Sequence, residues 1–204
     1  MPDSALSVCL LLISDGRQQY LDRTIISTRE NLPGFEQMVH IRDDDHQLGF
    51  DGAIREGWRQ ALDTGCEYVL HLEADFTFNQ PVPVDRIIGV LERNPYLAQI
   101  VLKRQAWNQG EIAAGGIVEE HPDDFTQRTE HGDIWTEHRR FFSTNPSFYP
   151  VGLCAQGWPA GANSEGRFTA RLLEDPDLRF AFWGGKFDAP LVEHIGVHRA
   201  GQGY

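Results

Sequence analysis

The chain is short of cysteine, short of basic residues and without a long apolar run, and each shortage closes off a class of protein. It holds three cysteines in 204 residues, Cys9, Cys66 and Cys154. An odd number at wide spacing, with no C-x-x-C, supports neither a disulfide framework nor a zinc knuckle. A reducing compartment is its simplest home. The apolar run over 8–13 is far below the ~20 residues that a membrane-spanning helix needs. No basic segment precedes it and no cleavage-like site follows, so it does not read as a signal peptide. A cytoplasmic protein without a membrane segment is therefore expected. Basic residues number 18 against 30 acidic ones, a net charge of −12. Such a surface repels a phosphate backbone and argues against charge-driven nucleic-acid binding, though a local basic groove stays open. The basic doublets Lys103-Arg104 and Arg139-Arg140 read as solvated faces.

What is present is ordinary globular material. Hydrophobic residues make up 41% and charged residues 24%, near the usual averages. The length suits one domain with a proper core. The first half alternates two patterns. Residues 8–14 form a continuous apolar strand that ends in Ser14-Asp15-Gly16. Residues 20–29 read as a helix with Leu21, Ile25 and Ile26 on one face, stopped by Asn31, Pro33 and Gly34. A strand over 38–41 closes on Asp43-Asp44-Asp45. A helix over 50–62 repeats Phe50, Ala53, Ile54, Trp58, Ala61 and Leu62 at helical spacing. A third strand over 68–72 runs into Glu73-Ala74-Asp75, and a helix over 84–91 and a strand over 97–102 follow.

Strand–helix alternation with short connections implies an α/β fold with a mostly parallel central sheet flanked by helices. Ligands of such sheets bind at the carboxyl ends of the strands. The polar clusters at 15–17, 43–45 and 73–75 therefore belong on one rim. The second half is expected to be loop-rich. Residues 119–140 carry charge and histidine without an assignable pattern. Phe141-Phe142 and Phe148-Tyr149 flank Asn145-Pro146-Ser147, which suggests a turn between short strands. Asn163 or Ser164 can cap a helix through Leu173, and 179–183 reads as a strand. No repeat or linker interrupts the chain, so residues 1–204 are expected to be one domain.

Glu73-Ala74-Asp75 is the centre of the functional reading. Similar triplets recur at 43–45 and 175–177, so composition alone carries little. Position carries more: this triplet ends an apolar strand. Two carboxylates within a strand point to opposite faces, but in a turn past its end they converge. Converging carboxylates hold a hard cation such as Mg²⁺ or Mn²⁺. Such an ion neutralises a diphosphate and stabilises its departure. The plainer alternative is a pair of solvated turn residues.

These parts in series resemble the nucleotide-binding half of the family 2 glycosyltransferases, with the GT-A (Rossmann-like) fold, over residues 8–105. The matching features are the strand 8–14 with Arg17, Asp43-Asp44 after a strand, Gly49, Ala53 and Gly57 in a helix, and Glu73-Ala74-Asp75. The resemblance implies that 1–105 binds the nucleotide sugar and 106–204 the acceptor. It implies that Asp43 or Asp44 contacts the nucleotide base, often uracil, and that the Ser14–Arg17 turn lines the same pocket. Asp75 would bind the metal directly, and Glu73 would face the ribose, a metal-bound water or the metal. The chain departs from the family at Glu73, where Asp is commoner, and at Arg55, where Asn is frequent. Arg55 could instead contact the diphosphate.

Inverting transfer needs a general base for the acceptor hydroxyl. Glu165 starts a helix reading Arg167-Phe168-Thr169-Ala170-Arg171-Leu172. In the resembling family an acidic residue just before such a helix is the usual base. The alternative is a favourable charge at a helix N-terminus, and Asp188 is a second candidate. His194-Ile195-Gly196 matches the late His-x-Gly that closes onto the metal in the family, and Arg199 could screen the departing diphosphate. His194 and His198 stand four apart, but Gly196 and the lack of a following Glu argue against a metalloprotease helix. Asn145-Pro146-Ser147 resembles the acceptor-side stretch, and Trp107, Trp158 and Trp183 read as core or as sugar-stacking platforms.

The expectation is thus a metal-dependent, inverting, non-processive glycosyltransferase. It would use a nucleotide-sugar donor, UDP by default, and a hydroxyl acceptor of unspecified class; a nucleic-acid acceptor is disfavoured by charge. The chain has no Q-x-x-R-W stretch of the kind found in processive synthases. The rivals are a nucleotidyltransferase acting on sugar phosphates, which would show a better Gly-rich basic loop than Ser14-Asp15-Gly16-Arg17, a metal-dependent phosphohydrolase, and a non-catalytic nucleotide-sugar or carbohydrate-binding protein.

Overall fold

In the computed structural model the described residues are 7–35, 37–103, 106 and 108–196. The leading apolar run becomes β1 (Val8–Ser14), buried along its whole length. It is followed by α1 (Gln18–Asn31), β2 (Gln37–Arg42), α2 (Gly49–Asp63), β3 (Tyr68–Glu73), the short β4 (Phe76–Phe78), α3 (Val84–Arg93) and β5 (Leu97–Val101). The second half adds α4 (Gln109–Ala114), α5 (Ile117–Glu120), β6 (Thr126–Glu130), β7 (Asp133–His138), β8 (Ser147–Pro150), α6 (Ser164–Leu172), β9 (Arg179–Trp183) and β10 (Val192–His194).

Eight strands join in the order β2-β1-β3-β8-β5-β9-β7-β6. Parallel pairing of β1 with β2 and β3, and of β5 with β9, with antiparallel β8 and β7 between, leaves six strands running one way. The fold is α/β with a mostly parallel central sheet flanked by helices, as the alternation implied.

Because successive strand residues face opposite sides, β1 feeds two cores. Val8, Leu10 and Leu12 pack with Leu21 of α1 and Ile87, Ile88 and Leu91 of α3. Cys9, Leu11 and Ile13 pack with Ala53, Ile54 and Trp58 of α2 and Phe168 and Leu172 of α6. Gly57 lets α2 lie directly on β1, since a Cβ there would come within 2.7 Å of Leu11 Cδ1. Trp58 is 2% exposed and meets Phe142, Tyr149, Trp158 and Phe168 edge-on or tilted. Its truncation to alanine would cost about 3–5 kcal/mol.

The helices differ from their apolar periodicity in two places. Ile26 is exposed, and α1 instead buries Leu21, Thr24 and Ser27. The reason is β4: Thr24 Oγ1 donates to the Phe76 carbonyl at 2.8 Å, and Ser27 Oγ accepts from Phe78 N at 2.7 Å. Leu62, read as inward, is likewise exposed at the end of α2. Phe141-Phe142 is not a strand; Phe142 N is held by Thr169 Oγ1 of α6 at 3.0 Å. Asn163 occupies the α6 N-cap position with φ 53°, but its side chain makes no capping bond.

Candidate functional site

The carboxyl ends of β1 and β3 meet at one rim, where Ile13, Ser14, Asp15, Phe50, Glu73, Ala74 and Asp75 line a small cleft. Glu73 closes β3 and Asp75 lies in the turn after it. A two-stranded antiparallel ribbon of β4 and β10 folds over this turn, with His194 opposite Phe76. Their rings stack at 4.5 Å. Ile195 N also bonds the Asp75 carbonyl at 2.8 Å. These contacts bring His194 Nε2 to 3.1 Å from Asp75 Oδ2, joining residues 119 apart in the chain. Asp75 is buried, and burial lowers the His194 pKa below its ordinary value.

The turn after β1 is built from Asp15, which is 7% exposed and pairs with Arg17. The Arg17 guanidinium also lies 5.7 Å from the Tyr20 ring centre. Ser14 Oγ bonds His40 Nε2 on β2 at 2.9 Å. Gly16 has φ +83°, and a Cβ there would meet Asp44 Cα at 2.9 Å, so the β1 and β2 turns close against each other.

The structure separates the two aspartates that the sequence left as alternatives. Asp43 is 3% exposed, and its carboxylate accepts from Leu48 N at 2.9 Å and Gly49 N at 2.8 Å. It shapes the entry to α2. Asp44 is exposed and pairs with Arg42 at 2.8 Å. Arg55 lies outside the cleft lining, on the exposed side of α2, where it pairs with Asp51 at 2.6 Å. Asp51 reaches across to Gly161 N at 2.8 Å, and this bond, with Arg55 as a smaller cause, holds its pKa below the usual carboxylate value.

Gly161 belongs to the loop that leads into α6. Arg167 grips the same loop through the carbonyls of Ala160 and Gly161. The first turn of α6 carries Glu165, whose Oε1 accepts from Thr144 N at 2.8 Å. Thr144 lies three residues before β8, and β8 pairs with β3 at Ser147 and His71. Glu165 is thereby fixed to the loop entering beside the acidic rim, one strand over from the cleft. Asp188, the second candidate, accepts from Gly185 N through its Oδ2 at 2.6 Å.

Three participants escaped sequence reading. Thr144 bears no motif, and Lys103, expected on a solvated face, is instead buried. Lys103 is 8% exposed and donates to the carbonyls of Gly185, Lys186 and Asp188, and Leu191 N bonds Leu102 O at 3.2 Å. Together they tie down the strap that delivers β10 and His194. The same strap borders an open cavity of about 300 Å³ lined in part by Phe187, Glu119 and Pro190. His71 is the third, and its signal was available: it precedes Glu73 by two and shares its face. Trp158 lies in the core and Trp183 is half-buried beside Arg86. Trp107, His198 and Arg199 lie outside the described residues.

Among the described residues no group of three His, Cys, Asp or Glu is arranged to hold a metal ion. The oxygen of Asp75 and the imidazole of His194 nonetheless form a two-membered donor set, with Glu73 on the same cleft.

No family model matches the chain, and no curated protein matches it in sequence. Solved structures do match in fold. S. aureus TarS 1–349 superposes with a TM-score of 0.56 at 10% identity, over 90% of this chain and 59% of that one. S. aureus TarS 1–349 in complex with UDP-GlcNAc gives 0.58 at 13% identity, over 93% and 60%. The chain thus spans about three fifths of the length of these solved chains. The likeness is one of fold, that of the TarS glycosyltransferase. Among the described residues no helix is long and apolar enough to cross a membrane.

Proposed function

We propose that this protein is a metal-dependent glycosyltransferase that moves a sugar from a nucleoside diphosphate sugar to a hydroxyl acceptor, inverting and non-processive. The observation that carries the reading is the Asp75–His194 pair at 3.1 Å beside Glu73, on the rim where β1 and β3 end. The fold is one in which a solved TarS structure holds UDP-GlcNAc, and UDP is accordingly the first donor to test.

Asp75 and His194 would hold the divalent ion, with Glu73 facing the ribose or an ion-bound water. When bound, such an ion neutralises the diphosphate and stabilises its departure. The Ser14–Arg17 turn would border the nucleotide, with Asp44 reaching the base and Asp43 keeping the α2 entry in shape. Glu165 would take the proton of the acceptor hydroxyl as that oxygen attacks the anomeric carbon. The Thr144 N–H would hold the Glu165 Oε1 in place. Arg55 would serve the loop before Glu165 through Asp51 rather than the diphosphate. A cytoplasmic location is part of the proposal.

A thermal-shift screen of nucleotide sugars with and without Mn²⁺ tests it, because a ligand that binds only the folded state raises the midpoint. A UDP-sugar shift that requires Mn²⁺ is expected. No shift with any nucleotide sugar would defeat the reading. A shift without any transfer to acceptors would leave a binding protein.

A further inference from the structure

His71 sits in the middle of β3 with 1% exposure, two residues before Glu73 and on the same face. Its Nδ1 lies 3.2 Å from the Tyr149 hydroxyl, and that hydroxyl lies 2.9 Å from Trp58 Nε1. The chemistry of these groups fixes the protons. An indole nitrogen can only donate, so the Tyr149 oxygen accepts from Trp58. Burial raises the Tyr149 pKa well above its ordinary value, so the hydroxyl keeps its single proton. Among the described residues that proton has His71 Nδ1 as its acceptor. With Nδ1 accepting, the imidazole carries its own proton on Nε2. This Nε2 is buried and has no hydrogen-bond partner among the described residues. A carboxylate oxygen, Glu73 Oε1, stands 3.9 Å from it.

A buried N–H left without an acceptor is costly, so its retention calls for a reason. We infer that His71 is a positioning residue for the donor cleft: the core, through Trp58 and Tyr149, locks its imidazole so that Nε2–H faces Glu73 and orients that carboxylate when the donor is bound. This rests on the donor reading above. The relay moves no proton. It presents one fixed donor to one carboxylate across a gap that a rotation of the Glu73 side chain closes. Glu73 is 26% exposed at the cleft.

Two measurements test it. Imidazole ¹⁵N shifts of the wild-type protein at neutral pH should show His71 as the Nε2–H tautomer, with the preference weakened in Tyr149→Phe. The Nδ1–H tautomer in the wild type overturns the inference whatever the donor does. Dissociation constants for a UDP-sugar with Mn²⁺ are then compared for wild type, His71→Phe, Glu73→Gln and the double variant. His71→Phe should weaken binding about tenfold, the scale of one hydrogen bond to a charged group. The double variant should bind no more weakly than Glu73→Gln alone. His71→Gln, which keeps an N–H near the Nε2 position, should recover most of the loss. Independent, multiplying effects of the two substitutions overturn the coupling. If His71→Phe does not fold, Tyr149→Phe replaces it in the cycle, with a smaller loss that also vanishes in the Glu73→Gln background. A folded wild type that binds no UDP-sugar fells the donor reading and this role with it, a result distinct from binding with uncoupled substitutions.

Discussion

The two flanks of the sheet are held by different physics. On the β2-β1-β3 side, alternate apolar residues feed two cores, and polar groups gather at the strand ends. On the β9-β7-β6 side, buried carboxylates hold the hairpin of β6 and β7 in place. Glu137 is 4% exposed and accepts from Tyr96 Oη at 2.8 Å, Trp135 Nε1 at 2.9 Å and Arg128 Nε at 3.1 Å. Asp133 takes Arg86 at 2.7 Å and Arg93 at 2.9 Å, tying the hairpin to α3. Burial and the Glu137 bond push the Tyr96 phenol up to about 12. The difference teaches that charge on this chain has two uses. Carboxylates of the hairpin flank are tied to arginines and lock structure, and those at the opposite rim would, on the proposed function, serve a ligand.

Activity and stability should therefore separate between the flanks. The largest effect is expected at the rim: Asp75→Ala should lower metal-dependent turnover about 10³-fold, several kcal/mol of charge stabilisation. Wild-type turnover in that variant would remove the metal role. Glu165→Gln should keep donor affinity and lower kcat on the order of 10²-fold, the low end for a general base. An unchanged kcat would move the base elsewhere. In the hairpin, Glu137→Ala should cost about 1–3 kcal/mol in denaturant unfolding, because the buried Trp135 Nε1–H and the Tyr96 hydroxyl lose their acceptor. Its kcat should stay at the wild-type value, and a matched loss of activity would break the division.

The smallest effect is the pH dependence that His71 contributes. Its folded pKa is about 4 against an ordinary 6.5, so between those values the unfolded chain binds a proton that the folded chain does not. Stability therefore rises with pH across that window and is flat above it, by at most about 3 kcal/mol. Melting curves from pH 4 to 6.5 should show a shallower rise for His71→Phe. Equal slopes would place His71 outside the core.

The apolar flank was legible because burial there is written as periodicity. β1, α2, β3 and α3 fall within two residues of the expected bounds. The hairpin at 126–138 was not, because its strands read as charge and histidine. The hairpin is held by arginines from α3 and by a tyrosine before β5, contacts made across 37–47 residues of chain. β4 and β10 are three residues each, too short for any period, and exist by pairing with each other. At the site, the acidic turn and His194 could be named from the chain, and so could Glu165 at the head of its helix. The distinct environments of Asp43 and Asp44 could not, because the backbone N–H groups that claim Asp43 are placed by the α2 turn. His71 shows a signal that was present and passed over, a polar residue alternating with Glu73 inside an apolar strand.

The central claim is that Asp75 and His194 form the ion-binding end of a donor cleft. A crystal structure of the protein soaked with a UDP-sugar and Mn²⁺, read by anomalous scattering, tests it most directly. The account predicts a manganese peak bonded to Asp75 and His194, with the diphosphate against it and the nucleotide along the β1 turn. A nucleotide bound elsewhere, or a rim without manganese while Asp75 still bonds only His194, would contradict it.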